Sequence, residues 1–279
     1  MSSPSLPSGQ RSQQREQLDL FRALPGDMAP RDAQDLMAYP FFSLAKSRRT
    51  APIDFRSGGV TVRVEGTREH GIATIWDADI LIWAASQIVE ARDAGIRPSR
   101  RMQATPYEIL RFIGRGTSLR DYQRLKAALD RLQSTTIATS IRETTGRRLH
   151  RFSWINEWKE RADAKGAPLG LELILPDWFF GGVMDEALVL TIDRAYFKLT
   201  GGIERWLYRL VRKHGRWMIE PDGRSLRCDA ELEKRQSAPP DATHPVRPPA
   251  PTDAPGADAE PHVVRLQANA ASGKGRARR

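Results

Sequence analysis

Within "SLRDYQRLKAALDRLQS", Ser118 to Ser134, the residues Arg120, Gln123, Arg124 and Arg131 are spaced to share one side of a helix, with Ala127 among them. Guanidinium and carboxamide groups can form two parallel hydrogen bonds with the edge of a guanine or an adenine in a major groove. The same pattern also describes a solvated amphipathic surface, so the chemistry depends on the elements that hold these side chains. Leu119, Tyr122, Leu125, Leu129 and Leu132 recur at spacings of three and four and supply an apolar stripe behind them. Arg131 lies in the half of the helix farther from its N-terminus, where phosphate is a nearer target than a base edge.

The helix and the one before it can be argued from their ends. Thr105 is an N-cap, Pro106 sits at the first helical position and Glu108 completes a Thr-x-x-Glu capping box; Gly114 stops that helix. Ser118 and Asp121 form the equivalent pair for the next one. A tight turn between two capped helices, the basic one second, is the order of a helix-turn-helix. "TTIATSIRET" then alternates like a strand, "TGRR" reads as a turn carrying Arg147 and Arg148, and "LHRFSWI" as a returning strand. Asp77 can cap an earlier helix through Ile80, Trp83 and Ile88. Helix, helix and hairpin with a basic tip predict a winged helix. Arg147 and Arg148 are then its wing, and Arg100 and Arg101 contact flanking phosphates.

The charge agrees. Forty-four Lys and Arg against 34 Asp and Glu leave a formal charge of +10, which favours a polyanionic partner. The excess concentrates between Arg97 and Arg151, where thirteen basic residues face four acidic ones. Such a lattice supplies affinity for phosphate rather than sequence preference. The seven tryptophans lie mostly in periodic apolar segments and read as core.

Four zones follow along the chain. Residues 1–35, rich in Ser, Gln and Pro, read as a flexible arm. Residues 36–161 form the first folded unit, opened by strands around Val60, Val62 and Val64 with Gly58-Gly59 as their turn. "ERADAKGAPLG" reads as a linker. A second unit spans 170–235, with a strand from Leu188 to Ile192, a short helix around Tyr196-Phe197 and a strong helix after Gly201-Gly202. In that helix Ile203, Trp206, Leu207, Leu210 and Val211 supply the apolar face, with Arg205, Arg209, Arg212 and Arg216 on a solvated far side. Residues 236–279 contain eight prolines and no aromatic residue, so burial cannot offset their ordering entropy and a disordered basic tail is expected.

Catalysis finds little support. "GRGTSLR" lacks the lysine and spacing of a phosphate-binding loop, and the five histidines are scattered singly, without metal-ligand spacing. Asp77 and Asp79 in "WDAD" suit a helix N-terminus better than a metal. No enzyme activity, metal or cofactor is expected. The single cysteine, Cys228, excludes an internal disulfide and suits a reducing compartment. With no secretory leader or membrane-spanning run, the expected location is the cytoplasm.

Several segments carry a resemblance: "YPFFSLAKSRRTAPIDFRSGGVTVRVEG", "HGIATIWDADILIWAASQIVEARDAG", "GTSLRDYQRLKAALDRLQSTTI", "RFSWINEWKE" and "LTIDRAYFKLTGGIERWLYRLVRKHG". Across about residues 39 to 215 the chain resembles the replication initiator protein A family of bacterial plasmid initiators. The resemblance implies binding of double-stranded DNA at origin repeats, local duplex opening and recruitment of the host replication initiator and helicase. It also implies two winged helices and self-repression by dimers. After Gly215, "RWMIEPDGRSLRCDAELEKRQ" departs from that pattern, so the second winged helix is expected to be incomplete. The reading is therefore an α+β chain: a winged-helix domain, a second and truncated winged-helix-like unit, and disordered termini. A transcriptional regulator remains the alternative reading and a DNA-nicking enzyme a weaker one.

Overall fold

The computed structural model describes residues 19–143 and 149–214, and two further short strands. The elements run β1 (Leu20–Arg22), β2 (Arg31–Ala33), α1 (Gln34–Ala38), β3 (Ile53–Ser57), β4 (Val60–Glu65), α2 (Ala78–Asp93), β5 (Arg101–Ala104), α3 (Pro106–Phe112) and α4 (Leu119–Ser134). There follow β6 (Thr136–Thr139), β7 (His150–Ser153), β8 (Glu157–Ala162), β9 (Pro168–Ile174), α5 (Asp177–Met184), β10 (Val189–Thr191) and α6 (Gly202–His214), then β11 (Trp217–Ile219) and β12 (Leu226–Cys228). The expected disordered tail, 236–279, and residues 1–18 of the expected arm lie outside the described residues.

The mixed α+β class is as expected. Helix α2 is the centre of the fold: from Ala78 to Val89 every residue is buried, Asp79, Ser86 and Gln87 included. A helix buried on all faces must be wrapped by other elements. Two four-stranded sheets accompany it, in the orders β3-β4-β6-β7 and β1-β5-β9-β8. The β3–β4 hairpin turns at Gly58 and Gly59, both at positive φ (55° and 80°), as a two-residue hairpin turn demands.

Three expectations change here. The arm is folded from Asp19 onward: β1 lies parallel to β5, and β2 pairs with β10. The "ERADAKGAPLG" linker is a hairpin, since β8 pairs with β9 across a turn held by Asp163, whose Oδ1 accepts from the amides of Lys165 and Ala167 at 2.8 Å each. Because β9 also pairs with β5, residues on both sides of the supposed boundary share a sheet, and one hydrophobic cluster runs from Phe21 to Tyr196. The described residues accordingly fall in one unit, with no division at 161–170.

The third change concerns α6, whose Arg205–Arg209 edge turns inward while Arg212 stays exposed; Arg216 lies outside the described residues. Arg205 and Arg209, expected in solvent, are each 2% exposed, whereas Ile203 and Leu207 are 69% and 49% exposed. Arg209 donates to both oxygens of buried Asp32 at 2.7 and 3.0 Å. Arg205 donates to Asp79 at 2.7 Å and to the carbonyls of Leu199 and Phe197. Amphipathic spacing identifies two faces of a helix but does not say which one turns inward when buried carboxylates wait for guanidiniums.

Two stability tests follow. Arg209→Ala leaves Asp32 buried and unpaired, and should lower unfolding free energy by about 3–5 kcal/mol in urea titration, with much of the loss recovered when Asp32 is also made apolar. Glu172, on β9, accepts from Arg101 at 2.8 and 3.2 Å and also meets Lys159 and Arg161. Those hydrogen bonds, Arg101's first, hold its carboxyl below its ordinary value of 4.5. Its contribution is therefore complete above that value and is lost as pH falls through the depressed one. Glu172→Gln should lower stability at neutral pH and flatten the acid loss below pH ~4.5, compared with the wild type by thermal melts.

Candidate nucleic-acid interface

Both capping boxes exist. The Thr105 hydroxyl accepts from the Glu108 amide at 3.2 Å while the Glu108 carboxylate accepts from the Thr105 amide at 2.6 Å. Ser118 and Asp121 make the corresponding pair at 3.4 and 3.1 Å. Gly114, at φ 68°, ends α3. Gly116 leaves room for the cap, because a Cβ there would stand 2.6 Å from an Asp121 carboxylate oxygen. The bonds from the Ser118 side chain and amide, with Arg124 and Arg120 nearby, hold the Asp121 carboxyl below its ordinary range.

Helix α4 turns Leu125, Ala128, Leu129 and Leu132 into the core. The opposite stripe, Arg120, Gln123, Arg124 and Ala127, is exposed along its length. No hydrogen bond occupies Arg120 or Gln123 among the described residues, and Arg124 keeps only a 3.6 Å approach to Asp121. Leu119, expected in the buried stripe, is 74% exposed because it sits in the first turn, ahead of the packed layer.

The other candidate residues are engaged or scattered. Arg131 is drawn inward, its Nε and Nη2 donating to Asp77 at 2.8 and 2.7 Å. Asp77 does not cap α2 with its side chain; the carboxylate instead accepts from the Thr74 amide and hydroxyl in the preceding turn. Arg101 is taken by Glu172, and Arg100 meets Asp177 at 3.0 Å and the Leu175 carbonyl. Arg147 and Arg148 lie outside the described residues. Their hairpin, β6–β7, exists, but it extends the β3–β4 sheet.

A different hairpin stands beside α4. Trp158 of β8 donates to Asp130 at 3.1 Å, Lys126 pairs with Glu160, and Gln133 reaches the Asn156 carbonyl. The inner strand, β9, lies between β8 and β5, so the pairing order joins this hairpin to the strand between α2 and α3. Lys165 is exposed in its turn, next to Gly166 at φ 83°. An Asp-x-x-Gly turn between two segments of strand composition was the available signal; high charge and glycine content made it look like a linker.

Among the described residues no helix is long and apolar enough to cross a membrane. The model of the replication initiator protein A family matches residues 31–230. The match runs past Gly215, where the segments of resemblance stop, and takes in β11 and β12. A protein of Wigglesworthia glossinidia brevipalpis named "Putative replication protein" is 33% identical over 182 residues. Those residues are 64% of this chain and 65% of that one, so the match spans under two thirds of the relative's length. Crystal structures of domains 2 and 3 of RctB align with a TM-score of 0.47 at 13% identity, covering 64% of this chain and about 70% of theirs. With a family match over most of its length, the chain belongs to the replication initiator protein A family.

Proposed function

We propose that α2, β5, α3, α4, β8 and β9 form a winged helix in which α4 is the recognition helix and β8–β9 the wing, with the β6–β7 hairpin an insertion between them. The observation that carries this reading is the free stripe Arg120-Gln123-Arg124-Ala127 on the second of two capped helices, with a hairpin braced along one flank. Arg120, Gln123 and Arg124 offer bidentate groups to base edges, and the Ala127 methyl suits a thymine methyl. Lys165 at the wing tip contacts phosphate. Arg131 is a positioning residue, because its guanidinium is committed to Asp77.

The protein then acts as a noncatalytic plasmid replication initiator in the cytoplasm. It binds repeated sites in origin DNA and brings host replication proteins to them, and family membership supports this role over a purely regulatory one. Repression of its own promoter as a dimer is the second reading.

Footprinting on DNA flanking its gene, across a salt series, should protect regularly spaced direct repeats. Protection of one promoter operator alone would favour the regulator, and an unbroken salt-sensitive coat would refute site-specific binding. Supercoiled origin plasmid incubated with the protein and magnesium should stay supercoiled; relaxation would expose a nicking activity. Arg124→Ala should relax preference at one base position by about 1–3 kcal/mol in competition binding. Lys165→Ala should weaken all duplexes alike and lower the salt slope by about one unit. Arg131→Ala should keep the order of preferred sites and lose about 1.5–3 kcal/mol of stability by stranding Asp77.

A further inference from the structure

A basic trough of about 690 Å³ runs along the other flank of α4. Arg124, Ala127 and Arg131 form its α4 wall, whereas Lys126 and Asp130, which meet β8, project from the far side of the exposed stripe. The facing wall comes from two other chain segments: Lys46 and Arg48 from the loop after Ser43, and Glu69 and His70 from the turn before Gly71.

The cations here differ in how far they are committed. Arg131 is spent on Asp77, and Arg115 on Asp79 and the Trp76 carbonyl. Lys46 and Arg48 are exposed, and neither has a carboxylate in ion-pair range among the described residues. Lys46 stands 5.5 Å over the Trp76 ring, and Arg48 gives one nitrogen to the Glu69 carbonyl at 2.9 Å. Exposed lysines and arginines are ordinarily solvated on loose stems, but these two rise from a backbone that is strapped down. Ser43 exchanges hydrogen bonds with Ala73 and Ile75, and the Ile72 amide donates to the Arg49 carbonyl at 2.8 Å.

The strapping reaches α4 itself. The Ala73 amide donates to the Thr135 hydroxyl at 2.8 Å, and that hydroxyl donates to the Arg131 carbonyl at 2.7 Å. One segment therefore holds the Lys46–Arg48 loop from one side and the end of α4 from the other. Gly71 makes the approach possible: at φ 76°, a Cβ there would stand 2.6 Å from Arg48 Cγ and 2.8 Å from the Arg49 carbonyl oxygen. The backbone that carries these two cations is thus tied to the end of α4, on the side away from the β8–β9 hairpin.

We propose that this trough is a second phosphate clamp for duplex DNA, in which Lys46 and Arg48 take the backbone on one side of the groove entered by α4 while the wing takes the other. The clamp rests on the winged-helix reading above and adds two contacts to it. Being phosphate contacts, they set register and affinity without reading bases.

The test compares the wild-type full chain with K46A/R48A, and with R56A/K198A as a control that removes the same charge from exposed positions off the trough. Each is titrated with the footprinted site and with a short random duplex over a salt series. The K46A/R48A protein should bind both duplexes more weakly by a similar factor, with a salt slope lower by about two units and the preference between duplexes kept. The control should move the slope by less. An unchanged slope in K46A/R48A, or an equal fall in the control, overturns the clamp while leaving the winged helix standing. Absence of salt-dependent duplex binding by the wild type overturns both.

Discussion

Two carboxylates at the start of the central helix govern how the rest of the chain is arranged. Asp77 and Asp79 are 2% and 0% exposed, and an ionised carboxylate removed from water must find cations or give up its charge. Burial pushes the Asp79 carboxyl upward while Arg205 and Arg115 pull against it. The guanidiniums that answer these two groups come from three places: Arg131 from α4, Arg115 from the turn between α3 and α4, and Arg205 from α6. Parts of the chain more than a hundred residues apart are thereby registered on one helix terminus. The same logic recurs at Asp32 with Arg209 and at Asp35 with Arg142, which also lies 4.2 Å over the Trp178 ring.

This arrangement explains why the exposed face of α4 is narrower than its sequence suggests. Pulling Arg131 toward Asp77 sets the rotation of the helix about its axis, and the leucines below reinforce that setting. The remaining polar positions, Arg120, Gln123 and Arg124, are left in the first two turns, facing outward together with Ala127. The Asp77–Thr74 turn and the Thr135 hydroxyl carry the same constraint into the segment that supports Lys46 and Arg48. On the other flank, Asp130 and Lys126 fix the β8–β9 hairpin against α4. The helix that carries the free stripe is thus braced on both sides by side chains that make no use of the stripe itself.

Legibility in the sequence followed the range of the forces. Capping boxes at Thr105 and Ser118, the Gly58-Gly59 hairpin and the 3-10 turn at Arg194–Lys198 arise from neighbours within a few residues, and each appeared where spacing put it; the α4 stripe did so at Arg120, Gln123 and Arg124 but not at Arg131. The family match also agrees with the resemblance carried by the long segments. Misreadings came where partners are distant. The arm before Leu36 looked too polar to fold, yet Phe21 is buried and Asp32 has Arg209 to receive it. The β8–β9 turn carries a local Asp-x-x-Gly signal, but nothing near it announces that β9 will insert between β5 and β8.

What the sequence determined by itself was local geometry and partner chemistry: where helices begin and end, which residues share a face, and a surplus of cations suited to a polyanion. Tertiary structure decided which of those cations remain available. Arg101, Arg131, Arg205 and Arg209 occupy the same kind of sequence position as Arg120 and Arg124, and all are helical or strand arginines in basic, amphipathic surroundings. The first four face buried carboxylates contributed from 54 to 177 residues away, and the last two do not. Periodicity encodes direction around one helix axis; whether a charge waits there depends on elements that only folding brings near.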